Sequence, residues 1–150
     1  MEVTIDDAIL KGIEAHRGGE FDEADRWFSA ILTVNPLHPD ANHNLGCVAI
    51  DVGRPEDGLA YLKTAVTVCP EECRYWISYT VALIQSGKIS ESRDALAQAR
   101  KNGAPTRVYN DLRRRIKEIT RSGIKDQSEN QLDKAIHHYK QGNFLEALEL

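Results

Sequence analysis

The sequence is poor in the features that mark special chemistry or a special compartment. Cysteine is scarce: Cys47, Cys69 and Cys73 make an odd count, which gives no disulfide framework. The two near neighbours, Cys69 and Cys73, lack CxxC spacing and no second pair accompanies them, so they read as reduced structural thiols rather than a metal or redox site. Long apolar runs are missing, and nothing reaches the roughly 20 residues of a membrane span. The start, Met1-Glu2-Val3-Thr4-Ile5-Asp6-Asp7, is acidic where a secretory leader carries positive charge. These absences point to a cytoplasmic protein without membrane partners. No glycine-rich phosphate loop follows a strand-like segment. His137 and His138 are adjacent on a helical pattern and diverge by about 100°, and His38 and His43 flank a turn, so no metal is expected. No cofactor and no catalytic group are expected either.

What is present is ordinary soluble composition with an uneven charge. Of 150 residues, 41% are hydrophobic and 28% charged, enough for a real core. Residues 1–75 carry 14 acids against 6 bases, a balance of −8, and residues 76–150 carry 9 acids against 13 bases, a balance of +4. The chain is therefore a dipole. Its basic part concentrates in Arg107, Arg113, Arg114, Arg115, Lys117 and Arg121. With a net charge of −4, that cluster reads as a solvated face that pairs with acids rather than as a nucleic-acid site.

The dominant signal is a repeat. Gly19, Gly53 and Gly87 lie 34 residues apart, as do Pro36 and Pro70. Phe28, Leu62 and Leu96 keep the same step, and so do Ile31, Ala65 and Ala99. A fixed period of this length marks stacked helical hairpins.

Taken in order, residues 5–17 form a helix with Ile5, Ala8, Ile9, Gly12, Ile13 and His16 on one face, Thr4 as its cap and Gly18-Gly19 as its stop. Asp22 is expected to cap the second helix, which turns Ala24, Trp27, Phe28 and Ile31 inward and ends at Asn35-Pro36. Asp40 or Asn42 opens the third, with Leu45, Val48, Ala49 and Val52 inward and Gly46 where the paired helix crosses. Pro55 sits at the first turn of the fourth, whose Leu59, Leu62, Ala65 and Val66 face the core. The third hairpin covers 73–103, with Trp76, Tyr79, Thr80 and Leu83 packing in its first helix and a second helix starting at Ser90. The register then breaks. Residues 106–121 make one extra amphipathic helix on Val108, Leu112, Ile116 and Ile119, with a basic outer face, closed by Ser122-Gly123. Residues 128–150 begin a fourth hairpin, and the sequence stops inside its second helix. Phe144, Ala147, Leu148 and Leu150 are then left uncovered, as expected of the front part of a longer protein; burial in a homodimer through 128–150 is the alternative.

Together, Leu45-Gly46, Gly53, Leu62, Ala65 and Pro70 with the 34-residue step resemble a tetratricopeptide repeat (TPR), over about residues 5–104 and 128–150. Lys11 and Lys134 depart from the family's Leu, and Gly58 and Ser92 from its Ala. The resemblance implies an all-α, TPR-type helical-hairpin solenoid, a right-handed superhelix with one extra helix after the third repeat. A finer likeness, in the stretches around Leu45 and Ala95, is to bacterial TPR regions that precede glycosyltransferase domains of the SPINDLY and O-GlcNAc-transferase type, or methyltransferase or sulfotransferase domains.

What the family implies for function is a concave groove built by the first helix of each hairpin. Its expected lining is Ile9, Leu10, Ile13 and Arg17 from the first, Asp40, His43, Asn44, Cys47 and Asp51 from the second, and Arg74, Ile77, Ser78, Val81 and Gln85 from the third. Such a groove takes an extended peptide or a helix, with the Asn44 amide bonding the ligand backbone. The family's chaperone-tail clamp grips a terminal carboxylate with a basic cluster. Asn44 and Arg74 match it, whereas Ile9, Ile13 and Ser78 do not, so a clamp of that kind is not expected. The expected function is non-enzymatic protein–protein interaction, as the recognition arm of a larger protein, with a self-associating scaffold as the alternative.

Overall fold

The structure, a computed structural model, describes residues 2–123. Those residues form seven α-helices and no strand: α1 (Ile5–Arg17), α2 (Phe21–Val34), α3 (Pro39–Asp51), α4 (Pro55–Val68), α5 (Cys73–Gln85), α6 (Ile89–Lys101) and α7 (Thr106–Ser122). The expected fourth hairpin, 128–150, and the dimer through it lie outside the described residues. The chain divides into two compact units, Met1–Cys69 and Pro70–Leu150. Within them α1 pairs with α2, α3 with α4 and α5 with α6, while α2 also packs on α3 and α7 on α6.

The 34-residue glycines do the same job at each hairpin. Gly19, Gly53 and Gly87 have φ of +78°, +80° and +75°, a left-handed conformation that side chains with a Cβ resist. Each reverses the chain within a few residues, so the two helices of a hairpin lie antiparallel.

Helix starts depart from expectation in two places. Thr4 does cap α1: its hydroxyl accepts from the Asp7 amide at 3.1 Å while the Asp7 carboxylate accepts from the Thr4 amide at 3.3 Å. The Thr4 hydrogen bonds hold the Asp7 carboxyl below its ordinary range. Their contribution is thus present above that range and fades as pH falls through the lowered value. Asp22, however, is not a cap. The helix already begins at Phe21, Glu20 occupies the cap position without a side-chain bond, and Asp22 lies in the first turn, where its charge still favours the helix dipole. In α3 the cap is neither Asp40 nor Asn42 but His38, whose Nδ1 accepts from the Ala41 amide at 3.1 Å ahead of Pro39. Asn42 instead donates to the carbonyls of Pro36 (3.1 Å) and His38 (2.9 Å), tying the inter-hairpin turn.

In the first unit the core runs from α1 through α2 to α3: Ala8, Ala15, Ala24, Phe28, Ile31, Ala41, Leu45 and Val48. The inward face of α1 is Ala8, Gly12 and Ala15, with Ile9 and Ile13 half-buried and Ile5 exposed. Small residues there let α2 come close, and Phe28 fills the space over Gly12. At the α3–α4 crossing Gly46 and Gly58 face each other, where a Cβ on Gly58 would lie 2.7 Å from the Gly46 carbonyl oxygen. The departure of Gly58 from the repeat pattern thus has a local cause. That of Ser92 is satisfied differently: fully buried, it donates to the Ile89 carbonyl at 2.6 Å.

In the second unit α5 is buried over most of its surface, including Tyr75, Thr80, Ala82, Leu83 and Ile84. Trp76 is half-buried and its indole N–H donates to the Pro70 carbonyl at 2.7 Å. Helix α7 buries Val108, Leu112 and Ile116 as its pattern predicts. It also buries Asp111 and Arg115, so Arg115 does not belong to the basic outer face.

Candidate functional site

The predicted groove residues fall on stripes that repeat every 34 positions. On α1 Ile9, Ile13 and Arg17 follow each other at steps of four. A helix places residues so spaced along one face. The corresponding positions 34 residues later are His43, Cys47 and Asp51 on α3, and 34 later again Ile77, Val81 and Gln85 on α5. Asp40 and Asn44 on α3 match Arg74 and Ser78 on α5 by the same step. The three helices therefore present equivalent stripes; α1 and α3 belong to the first unit and α5 to the second.

Burial separates the residues a ligand can reach from those it cannot. In the first unit Arg17 and Asp51 are exposed, and Ile9, Ile13, Asp40 and Asn44 are half-buried. His43 and Cys47 are buried, Cys47 at 1% exposure, and they bond each other across one helical turn, Sγ to Nε2 at 3.6 Å. A thiol beside an imidazole is the geometry of a nucleophile and its base, but a pair closed to solvent offers no substrate access. In the second unit Arg74 is exposed and Gln85 half-buried, while Ile77, Ser78 and Val81 are buried. The groove expectation thus narrows to the outer positions of each stripe, because the deeper ones are packed.

The reachable side chains are held in defined places. Asn44 donates one N–H to the Asp40 carbonyl at 2.8 Å, leaving its Oδ1 with no partner among the described residues. Asp51 accepts from His16 at 2.5 Å, joining the C-terminal ends of α1 and α3. Sequence reasoning placed His16 on the apolar face of α1 but did not pair it; the two are 35 residues apart, one more than the repeat. Lys11, which stands where the repeat pattern has Leu, lies 4.9 Å over the Trp27 ring, so its charge is used against an aromatic face. Arg74 bonds Glu72 at 3.3 Å and lies over the Tyr75 ring. Burial pushes the Cys73 thiol up, which opposes thiolate chemistry there. Among the described residues no group of three His, Cys, Asp or Glu side chains could hold a metal, and no helix is long and apolar enough to cross a membrane.

No protein-family model and no curated protein matches the sequence. Solved structures do match the fold. The O-GlcNAc transferase of Thermobaculum terrenum, in a mutant form, aligns with a TM-score of 0.70 and 20% identity over 91% of this chain and 26% of that one. The chain thus spans about a quarter of that transferase. The TPR2B domain of yeast Sti1, in its pHsp70 complex, aligns with a TM-score of 0.71 and 18% identity over 76% of this chain and 96% of the domain. The Yersinia enterocolitica type III secretion chaperone SycD, bound to a peptide of the translocator YopD, aligns with a TM-score of 0.66 and 16% identity over 81% and 93% of the two chains. The fold is therefore that of tetratricopeptide repeats.

Proposed function

We propose that this chain, which has the tetratricopeptide-repeat fold, is a non-enzymatic peptide-binding module that uses the outer positions of its α1 and α3 stripes. The observation that carries this reading is Asn44. It is half-buried, its side chain is oriented by the Asp40 carbonyl, and its Oδ1 remains available to a backbone N–H. Ile9 and Ile13 add apolar area beside it, and Arg17 adds an exposed charge. Two solved neighbours with this fold are complexes, one with pHsp70 and one with a YopD peptide, which supports a peptide or protein ligand here. Arg74 and Gln85 extend the reading to the second unit as an independent set of contacts.

The test is a selection of peptides from a random display library on the immobilised chain, followed by affinity measurement. Asn44→Ala should weaken the selected peptides by about tenfold, the size of losing one hydrogen bond made in a desolvated contact, with helicity unchanged. Arg74→Ala should weaken them less, because an exposed charge contributes little. Equal affinity for the parent chain and the Asn44 variant would place the ligand elsewhere.

A finer reading makes this module the recognition arm of a larger cytoplasmic protein, a glycosyltransferase in the first instance. The likeness to one quarter of the Thermobaculum terrenum transferase supports it. An immunoblot of the source cell with an antibody to residues 2–123 checks it. A band well above 16.8 kDa is expected; a band at that mass would favour a free-standing adaptor or scaffold.

A further inference from the structure

The second unit carries another concavity, on the other side of α6 from its partner α5. Helices α6 and α7 line a solvent-open cavity of about 210 Å³. Its floor is aliphatic, from the buried Leu96 on α6 and Ile116 on α7, with the exposed Ala97 also in the lining, and Arg93, Arg113 and Lys117 stand around it. Tyr109 forms one wall and is fixed from behind: the Arg100 guanidinium stacks 4.8 Å from its ring centre and donates to its hydroxyl at 3.4 Å. Arg93 is also held, donating to the Thr120 hydroxyl at 2.8 Å. Arg113 and Lys117, one helical turn apart, have no acidic partner among the described residues. Asp111, on the buried side of α7, pairs with Arg114 at 2.5 Å.

Among the described residues Arg113 and Lys117 have no acid partner, and they stand beside an apolar floor. The floor is served by a hydrocarbon side chain, the rim by carboxylates. We propose that the α6–α7 cavity is a docking site for an acidic peptide segment that inserts one bulky apolar or aromatic side chain and pairs its flanking carboxylates with Arg113 and Lys117. The volume suits one large side chain and not a whole ligand of drug size. Charge complementarity chooses the partner. A nucleic acid fits less well, because the apolar floor offers no hydrogen-bond group to a base edge. The site lies within one unit, and α5, with its predicted groove residues, contributes nothing to its lining.

The experiment is fluorescence anisotropy on the full chain with a labelled peptide, Asp-Glu-Trp-Asp-Asp-Glu, beside its Asn/Gln counterpart and a thymidine oligonucleotide. The acidic peptide should bind saturably and lose affinity by about tenfold or more in the double variant Arg113→Glu/Lys117→Glu, the scale of reversing two charges at a rim. Both side chains are exposed, so circular dichroism should be unchanged. Ala97→Phe, which fills the cavity and keeps every charge, should weaken the peptide as well and separates the pocket from diffuse attraction. Absence of saturable binding by the acidic peptide overturns the proposal, as does binding that neither variant changes. Binding lost on Asn44→Ala but not on Arg113→Glu/Lys117→Glu assigns the peptide to the α3 stripe instead. Tighter capture of the oligonucleotide than of the peptide, abolished by the double variant, makes the surface a nucleic-acid site and equally overturns it.

Discussion

Phe28→Ala should destabilise the first unit by about 3–5 kcal/mol, and Gly12→Ala should then become harmless. Phe28 has no exposed surface and sits at the centre of the core that joins α1, α2 and α3. Its removal costs both the transfer of a phenyl ring and the cavity left behind. Stability of a chain this size is roughly 5–15 kcal/mol, so the loss is a large share of the total. The second half of the prediction is the sharper one. A Cβ on Gly12 would fall 2.5 to 2.9 Å from three atoms of the Phe28 ring. In the parent chain Gly12→Ala therefore forces the ring or α1 to move, at about 1–3 kcal/mol. With the ring gone the methyl enters vacant space, and alanine's helix propensity adds up to about 1 kcal/mol in its favour. A double-mutant cycle read by thermal denaturation should thus show the double variant losing less stability than the sum of the two single losses. Additive losses would show that Gly12 and Phe28 are not the pair that sets the α1–α2 distance.

This pair also marks what could be read from the chain alone. The helix ends were legible because glycine and proline act on the backbone directly, and the 34-residue step carried φ near +78° to the same place in each hairpin. The inward positions of α2 and α4 were legible because Phe28, Ile31, Leu62 and Ala65 leave one face for the core. The cap of α3 was not, because His38 works there through a ring nitrogen while Asp40 and Asn42 are the usual capping types. The split of the groove stripes was not legible either. Ile9 and Ile77 are the same residue type at the same repeat position, yet one is half-buried and the other buried. Spacing says which face a residue takes; it does not say how much of that face is covered. Arg115 makes the same point in reverse, a cation next to an apolar stripe that ends 7% exposed. The α6–α7 cavity had no sequence signal beyond the basic cluster, since its floor comes from two helices that a periodicity argument treats separately.

Gly58→Ala should lower stability by about 1–2 kcal/mol, although the repeat pattern itself has alanine at this position. Two effects oppose each other. Alanine is favoured over glycine inside a helix by about 1 kcal/mol, which alone would make the change stabilising. The added Cβ, however, would stand 2.7 Å from the Gly46 carbonyl oxygen and 3.3 Å from the Ala49 Cβ. A carbonyl in the middle of α3 cannot turn aside as a flexible side chain does, so the helices must separate, and separation costs packing for the fully buried Leu62, which lies against Gly46. Overpacking of this kind costs typically about 1–3 kcal/mol, more than the propensity gain. Gly18→Ala is the matched control. Gly18 has a φ of −79° and its nearest neighbour to an added Cβ is 3.5 Å away, so only the propensity and unfolded-chain effects remain, and the melting temperature should hold or rise. For a chain of this length about 1–2 kcal/mol corresponds to a fall of roughly 2–8 °C for Gly58→Ala, measurable by calorimetry. A rise for Gly58→Ala as well would mean that α3 and α4 have room for the family's alanine, and that the glycine at 58 does not set their spacing.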